Sequence, residues 1–159
     1  MERRVSIAVR LLAALALVWS SAALAQEPAK SVDQHLVLVA AQESALGVIP
    51  ADDLRSAYLG SPIESAGTKL RPLLNVTDDV LYEVFLQKVL FMSQRTYERH
   101  VLSHVYRLGG TRPPAYGDAD ALIAELHDRP GTVTFMWRAQ AEKSSGIRIL
   151  ADLWSGTVD

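Results

Sequence analysis

The feature that most constrains the fold is the run His35-Leu-Val-Leu-Val-Ala-Ala41, in which apolar side chains do not alternate with polar ones. A strand with one wet face alternates with period two. A run that is apolar at every position suits a strand buried on both faces, and burial of both faces of a sheet requires covering helices. A second run of this kind, Thr132-Val-Thr-Phe-Met-Trp137, lies toward the other end of the chain.

Between the two runs the pattern is helical. Ile49–Leu59 places Pro50 at a first turn beside Asp52 and Asp53 and stops at Gly60, the usual asymmetry of proline at the start and glycine at the end. Lys69–Asn75 predicts a short strand, with Pro72 placing it at an edge or a bulge. Thr77 is expected to cap a helix with Asp78 and Asp79 in its first turn, favourable at the positive end of its dipole. Leu81, Val84, Phe85 and Val89 then repeat at helical spacing. Ser93 opens a further helix to about Leu108, ended by Gly109-Gly110, and Asp118 opens another through His127. Thr111–Gly117 is a loop, Arg129-Pro-Gly131 a turn, and Gly146–Leu150 a last short strand. The order strand, helix, strand, two helices, helix, strand, strand predicts an α/β fold, without an internal repeat or a linker long enough to separate two domains.

The start of the chain has a different logic. Arg3, Arg4 and Arg10 precede the uncharged run Leu11–Val18, and Ala23-Leu-Ala25 supplies small residues at a cleavage position. Together they read as a secretory signal peptide over residues 1–25. The apolar run is too short for a membrane span, which needs about 20 residues. The expected organisation is therefore a signal peptide (1–25), a flexible polar leader (26–34) and one folded domain (35–159). The expected location is the periplasm, with no part embedded in the membrane once the signal is removed.

Composition narrows the function. The chain has 159 residues, 49% hydrophobic, with no cysteine and a formal charge of −2. Thiol catalysis, disulfides and cysteine-held metals are excluded. Weak acidity argues against nucleic acid as a partner.

Several segments resemble the periplasmic phosphate-binding proteins. They are Leu54-Arg-Ser-Ala-Tyr-Leu-Gly60, Leu70-Arg-Pro-Leu-Leu-Asn75, Phe85-Leu-Gln-Lys-Val-Leu90, Gly109-Gly-x-x-Pro-Pro114 and Arg129-Pro-Gly-Thr-Val-Thr-Phe135. The likeness spans about residues 36–150 and is closest to the small, single-lobed members. It implies a type 2 periplasmic-binding-protein-like lobe, a mixed sheet flanked by helices. It also implies an exported solute-binding-like protein, related to the substrate-binding components of phosphate ABC transporters and taking phosphate or another small polar solute. The departures are chemical. Asn75 stands where that family has an arginine, and Asp79, Val80 and Leu81 replace its Ser-Gly-Thr, although the ten-residue spacing from Asn75 to Phe85 is kept. Two carboxylates at this helix start disfavour a phosphate there. The alternative is a non-enzymatic envelope interaction domain that keeps the fold without the anion pocket. A membrane transporter or an envelope protein is the expected partner.

Candidate ligand-binding residues are Gln42 and Ser44 after the first strand, and Asn75 and Thr77 after the second, because open α/β sheets gather ligands beyond their strand ends. Turn and capping chemistry explains the same residues. His100 and His104 share a helix face at a spacing that can hold zinc or copper, but they lack a third ligand in a recognisable motif. No metal, cofactor or catalytic residue is expected, because no arrangement pairs a nucleophile with a base.

Overall fold

The centre of the molecule is β1 (Val32–Ala41), whose residues 36–40 are almost wholly inaccessible. The computed structural model describes residues 32–158; the expected signal peptide and residues 26–31 of the expected leader lie outside them. The strand starts earlier than the sequence suggests. Val32, Asp33 and Gln34, expected in the leader, pair with Val158, Thr157 and Gly156 of β8 (Ile147–Val158).

Strand order in the main sheet is β4 (Arg71–Pro72), β7 (Thr132–Trp137), β1, β8. β1 runs antiparallel to both neighbours, whereas β4 runs parallel to β7. Two small ladders flank it. β2 (Glu64–Ser65) and β3 (Thr68–Lys69) form a hairpin, and β5 (Leu74–Asn75) lies parallel to β6 (Ala115–Tyr116). The helices are α1 (Ala51–Tyr58), α2 (Asp79–Lys88), α3 (Gln94–Leu108), α4 (Ala119–Asp128) and the single turn α5 (Arg138–Ala141). The fold is thus α/β with a mixed sheet, as the element order predicts.

The unalternating sequence of β1 has the expected cause. Leu36, Leu38 and Ala40 point to one face, where Leu54 and Tyr58 of α1, Leu81 and Phe85 of α2, and Tyr97 and Val101 of α3 cover them. Val37 and Val39 point to the other, covered by Leu122 and Leu126 of α4 and Ala141 of α5. Full burial of each large aliphatic side chain stabilises by about 1.5–3 kcal/mol. In the larger core, Phe85 and Phe135 stack at 3.7 Å and Tyr58 meets both edge-on, at 4.7 and 6.0 Å. The Tyr58 hydroxyl donates to the Leu73 carbonyl at 3.2 Å, and the Tyr97 hydroxyl donates to the Tyr58 carbonyl at 2.9 Å. Burial raises both phenols well above their ordinary pKa.

Helix starts follow the expected chemistry with one exchange. Ser93 and Asp118 cap α3 and α4, accepting from the N–H of Thr96 and Ala121. At α2 the cap is Asp78 rather than Thr77: its Oδ1 accepts from Val80 and Leu81 at 2.8 and 3.1 Å. The Thr77 hydroxyl is engaged with Asn75 instead. Pro72 sits on the edge strand β4, where its missing N–H breaks no ladder bond; Arg71 N–H and Leu73 N–H reach Gly131 and Val133 on either side of it.

Candidate functional site

Strand direction separates the four sequence-predicted ligand residues. β1 and β4–β5 run in opposite senses relative to β7, so the chain leaves them at opposite ends of the sheet. Ala40 is level with Val133 at one end, while Asn75 reaches Phe135 and Asp78 reaches Trp137 toward the other. Gln42 and Ser44 therefore form one turn and Asn75 and Thr77 another.

The Asn75–Asp78 turn uses its side-chain polar atoms internally, and the Gln42–Ser44 turn uses mainly its backbone. Asn75 is fully buried, and its amide donates to the Phe135 carbonyl at 3.0 Å. Its Oδ1 accepts from the Thr77 N–H at 3.1 Å and the Thr77 hydroxyl at 2.7 Å. Asp78 adds a bond from Trp137 Nε1 to its Oδ2 at 3.1 Å. At the other turn, Gln42 is exposed and its N–H donates to Gly146 O at 2.8 Å. Ser44 Oγ accepts from Leu46 N–H at 3.4 Å, and its carbonyl accepts from Arg148 at 2.8 Å. Glu43 and Ser44 border a small recess of about 170 Å³ with His127 and Arg129. Hydrogen bonds from its own backbone and from His127 hold the Glu43 carboxyl below the usual carboxylate range.

The His100 and His104 rings lie 6.3 Å apart, and no group of three metal-ligating side chains occurs among the described residues. His104 has a packing role. A side chain at Gly110 would place its Cβ 2.6 Å from His104 Cδ2 and 2.7 Å from the Gly60 carbonyl. The two glycines thus let α3 approach the loops after α1 and after α3.

Those loops border a cleft of about 500 Å³. Its walls are the segment after α1 (Gly60, Ser61, Pro62), the β3–β4 segment (Lys69–Leu73), the loop 109–114, and Glu125 of α4 with Arg129 just beyond that helix. The loop 109–114 is held in place by β5, since Leu74 N–H donates to Pro114 O at 2.8 Å and Val76 N–H to Tyr116 O at 2.9 Å. Gly131, at φ 81°, brings the β3 end against the start of β7, where any Cβ would collide with the Lys69 carbonyl.

The charge in this cleft is one-sided. Lys69, Arg71, Arg112 and Arg129 line it against a single acid, Glu125, which pairs with Arg129 Nε at 3.0 Å. Among the described residues, Lys69, Arg71 and Arg112 have no carboxylate within salt-bridge distance. The Arg112 charge is felt by its neighbours, partly offsetting the rise that burial imposes on the Tyr82 and Tyr97 phenols. On a chain of net charge −2, such a cluster creates a local positive potential that draws anions. Leu70, Leu73 and Thr132, which also border the cleft, are only 2–3% exposed, and the two leucines are part of the hydrophobic cores. Sequence reasoning marks the Gly109-Gly110, Pro113-Pro114 and Arg129-Pro-Gly131 signals as loops, but not these cations, which are scattered over residues 69–129.

No family model matches the chain, and a search of curated proteins finds no match. Among the described residues no helix is long and apolar enough to cross a membrane.

Proposed function

We propose that this chain is an exported solute-binding protein that takes a small anionic solute in the basic cleft and hands it to, or reports it to, a membrane partner. The observation that carries the reading is the gathering of Lys69, Arg71, Arg112 and Arg129 around one cleft of a net-acidic chain. The signal-peptide signature over residues 1–25 supports export to the periplasm. The mixed sheet with helices on both faces is compatible with a single lobe of the type 2 periplasmic-binding-protein kind. In this reading the anion does not occupy the helix start that phosphate binders use, because Asn75, Thr77 and Asp78 fill that corner with their own hydrogen bonds. The site lies instead one strand segment earlier.

The test is isothermal titration of the purified chain with phosphate at neutral pH and low salt. Saturable heat that the double charge reversal Arg71→Glu with Arg112→Glu abolishes, and that Gln42→Ala leaves unchanged, is the expected result. Absence of heat with phosphate, sulfate and citrate alike would overturn the reading.

One observation favours the second reading, an envelope interaction domain. α3 fully buries only Tyr97 and Val101, while Leu102, Tyr106 and Leu108 are 57, 82 and 73% exposed. That reading gains if no solute binds and alanine at Leu102 and Tyr106 removes a reproducible envelope partner.

A further inference from the structure

The cleft also indicates the kind of anion it takes, an inference that rests on the anion-binding reading above. Its volume of about 500 Å³ falls within the roughly 300–1,000 Å³ of pockets that enclose organic ligands. A single tetrahedral oxyanion has only a handful of heavy atoms and would leave most of that space to water. The cations are drawn from three separate segments of the chain. Lys69 and Arg71 come from the β3–β4 segment, Arg112 from the loop after α3, and Arg129 from just beyond α4. All four are exposed, and the apolar residues Pro62, Pro72 and Pro114, none of them fully buried, line the same cleft. Exposed charge thus lies at the rim, beside apolar proline surface that a carbon framework can cover. A site for a bare oxyanion is built the other way, with several donors focused on one small volume.

We propose that the ligand is an organic polyanion: a compact carbon framework resting on the apolar lining at Pro62, Pro72 and Pro114, with two or more phosphate or carboxylate groups directed to the cations at the rim. Each rim cation then acts on a different ligand group. Loss of any one weakens binding by a modest, similar factor, roughly twofold to fivefold for exposed ion pairs, and leaves the others working. A convergent site would fail outright on losing one donor.

The experiment is a calorimetric and competition series at one ionic strength, using inorganic phosphate, citrate, fructose 1,6-bisphosphate, adenosine diphosphate and uncharged fructose as probes. Citrate against the two phosphorylated probes separates carboxylate from phosphate ligands. At least one organic polyanion should bind about tenfold or more tighter than inorganic phosphate, a difference readily resolved by titration. Lys69→Gln, Arg71→Gln, Arg112→Gln and Arg129→Gln should each lower that affinity severalfold, with thermal melting unchanged. Inorganic phosphate binding as tightly as every organic probe would overturn this inference and leave the anion-binding reading standing. Binding of fructose as tightly as its bisphosphate, or of no probe at all, would overturn both. One substitution abolishing binding while the other three are silent would also reject a ligand spread over the rim.

Discussion

The turn at Asn75–Asp78 and the cleft at Lys69–Leu73 are adjacent in the chain, yet they use polar atoms in opposite ways. In the turn, the Asn75 amide, the Thr77 hydroxyl and both carboxylate oxygens of Asp78 all have partners within the fold. In the cleft, Lys69, Arg71 and Arg112 have no acidic partner among the described residues. A buried polar group that is fully hydrogen-bonded contributes to holding the backbone, because leaving its partners unmade is costly. An exposed cation with no partner adds little to stability and remains available to a ligand. Proximity of polar residues in sequence does not separate these two cases. An inventory of partners does.

Substitutions should split along the same line. The largest loss of stability is expected for Asn75→Leu, which strands the Phe135 carbonyl and the Thr77 hydroxyl in a buried corner. The cost is about 2–4 kcal/mol, read as a fall in Tm on the order of 10 °C; a Tm within a degree or two of wild type would break the comparison. Asp78→Ala removes the α2 cap and the partner of Trp137, and should cost about 1–2 kcal/mol in a denaturant titration. Next comes a pH effect. Burial raises the Tyr58 and Tyr97 phenols, so the folded state disfavours phenolate while the unfolded chain ionises near its ordinary value of about 10. The stabilisation is complete below that value and is lost as pH rises above it. Denaturant midpoints should therefore be flat from pH 8 to 9.5 and fall beyond pH 10, less steeply in Tyr97→Phe. The smallest effect on stability belongs to the cleft. Arg71→Gln and Arg112→Gln should change it by no more than about 0.5 kcal/mol while lowering anion affinity, and a large drop in Tm would assign these arginines to the scaffold instead.

What was legible in the sequence followed from local rules. β1 announced burial on both faces because its two alternating sets of side chains each meet a helical layer. Ser93 and Asp118 marked helix starts because a short side-chain oxygen there reaches the free N–H groups of the first turn. At α2, Thr77 and Asp78 are both competent caps, and only the position of buried Asn75 decides between them. β8 outran its expected end at Leu150 because an edge strand is half-exposed, and its outer half carries Asp152, Ser155 and Gly156 among the apolar residues. The cleft was hidden for a different reason. Whether strand ends meet depends on strand direction, which long-range pairing sets, and four basic residues over sixty positions have no period that would mark them as neighbours.

The pairing of β1 with β8 has a consequence in time. Of the described elements β1 is made first and β8 last, and their register runs from Val32 opposite Val158 to Ala41 opposite Ile147. Until Ile147 and the residues after it have been synthesised, one whole side of the central strand lacks its partner strand. Closing a loop of that length is slow beside the local formation of helices. Under the export proposed above, that delay would favour an unfolded chain during passage through the membrane. The same delay is a hazard. A product cut short before Ile147 would carry a bare apolar edge that can recruit a strand from another chain.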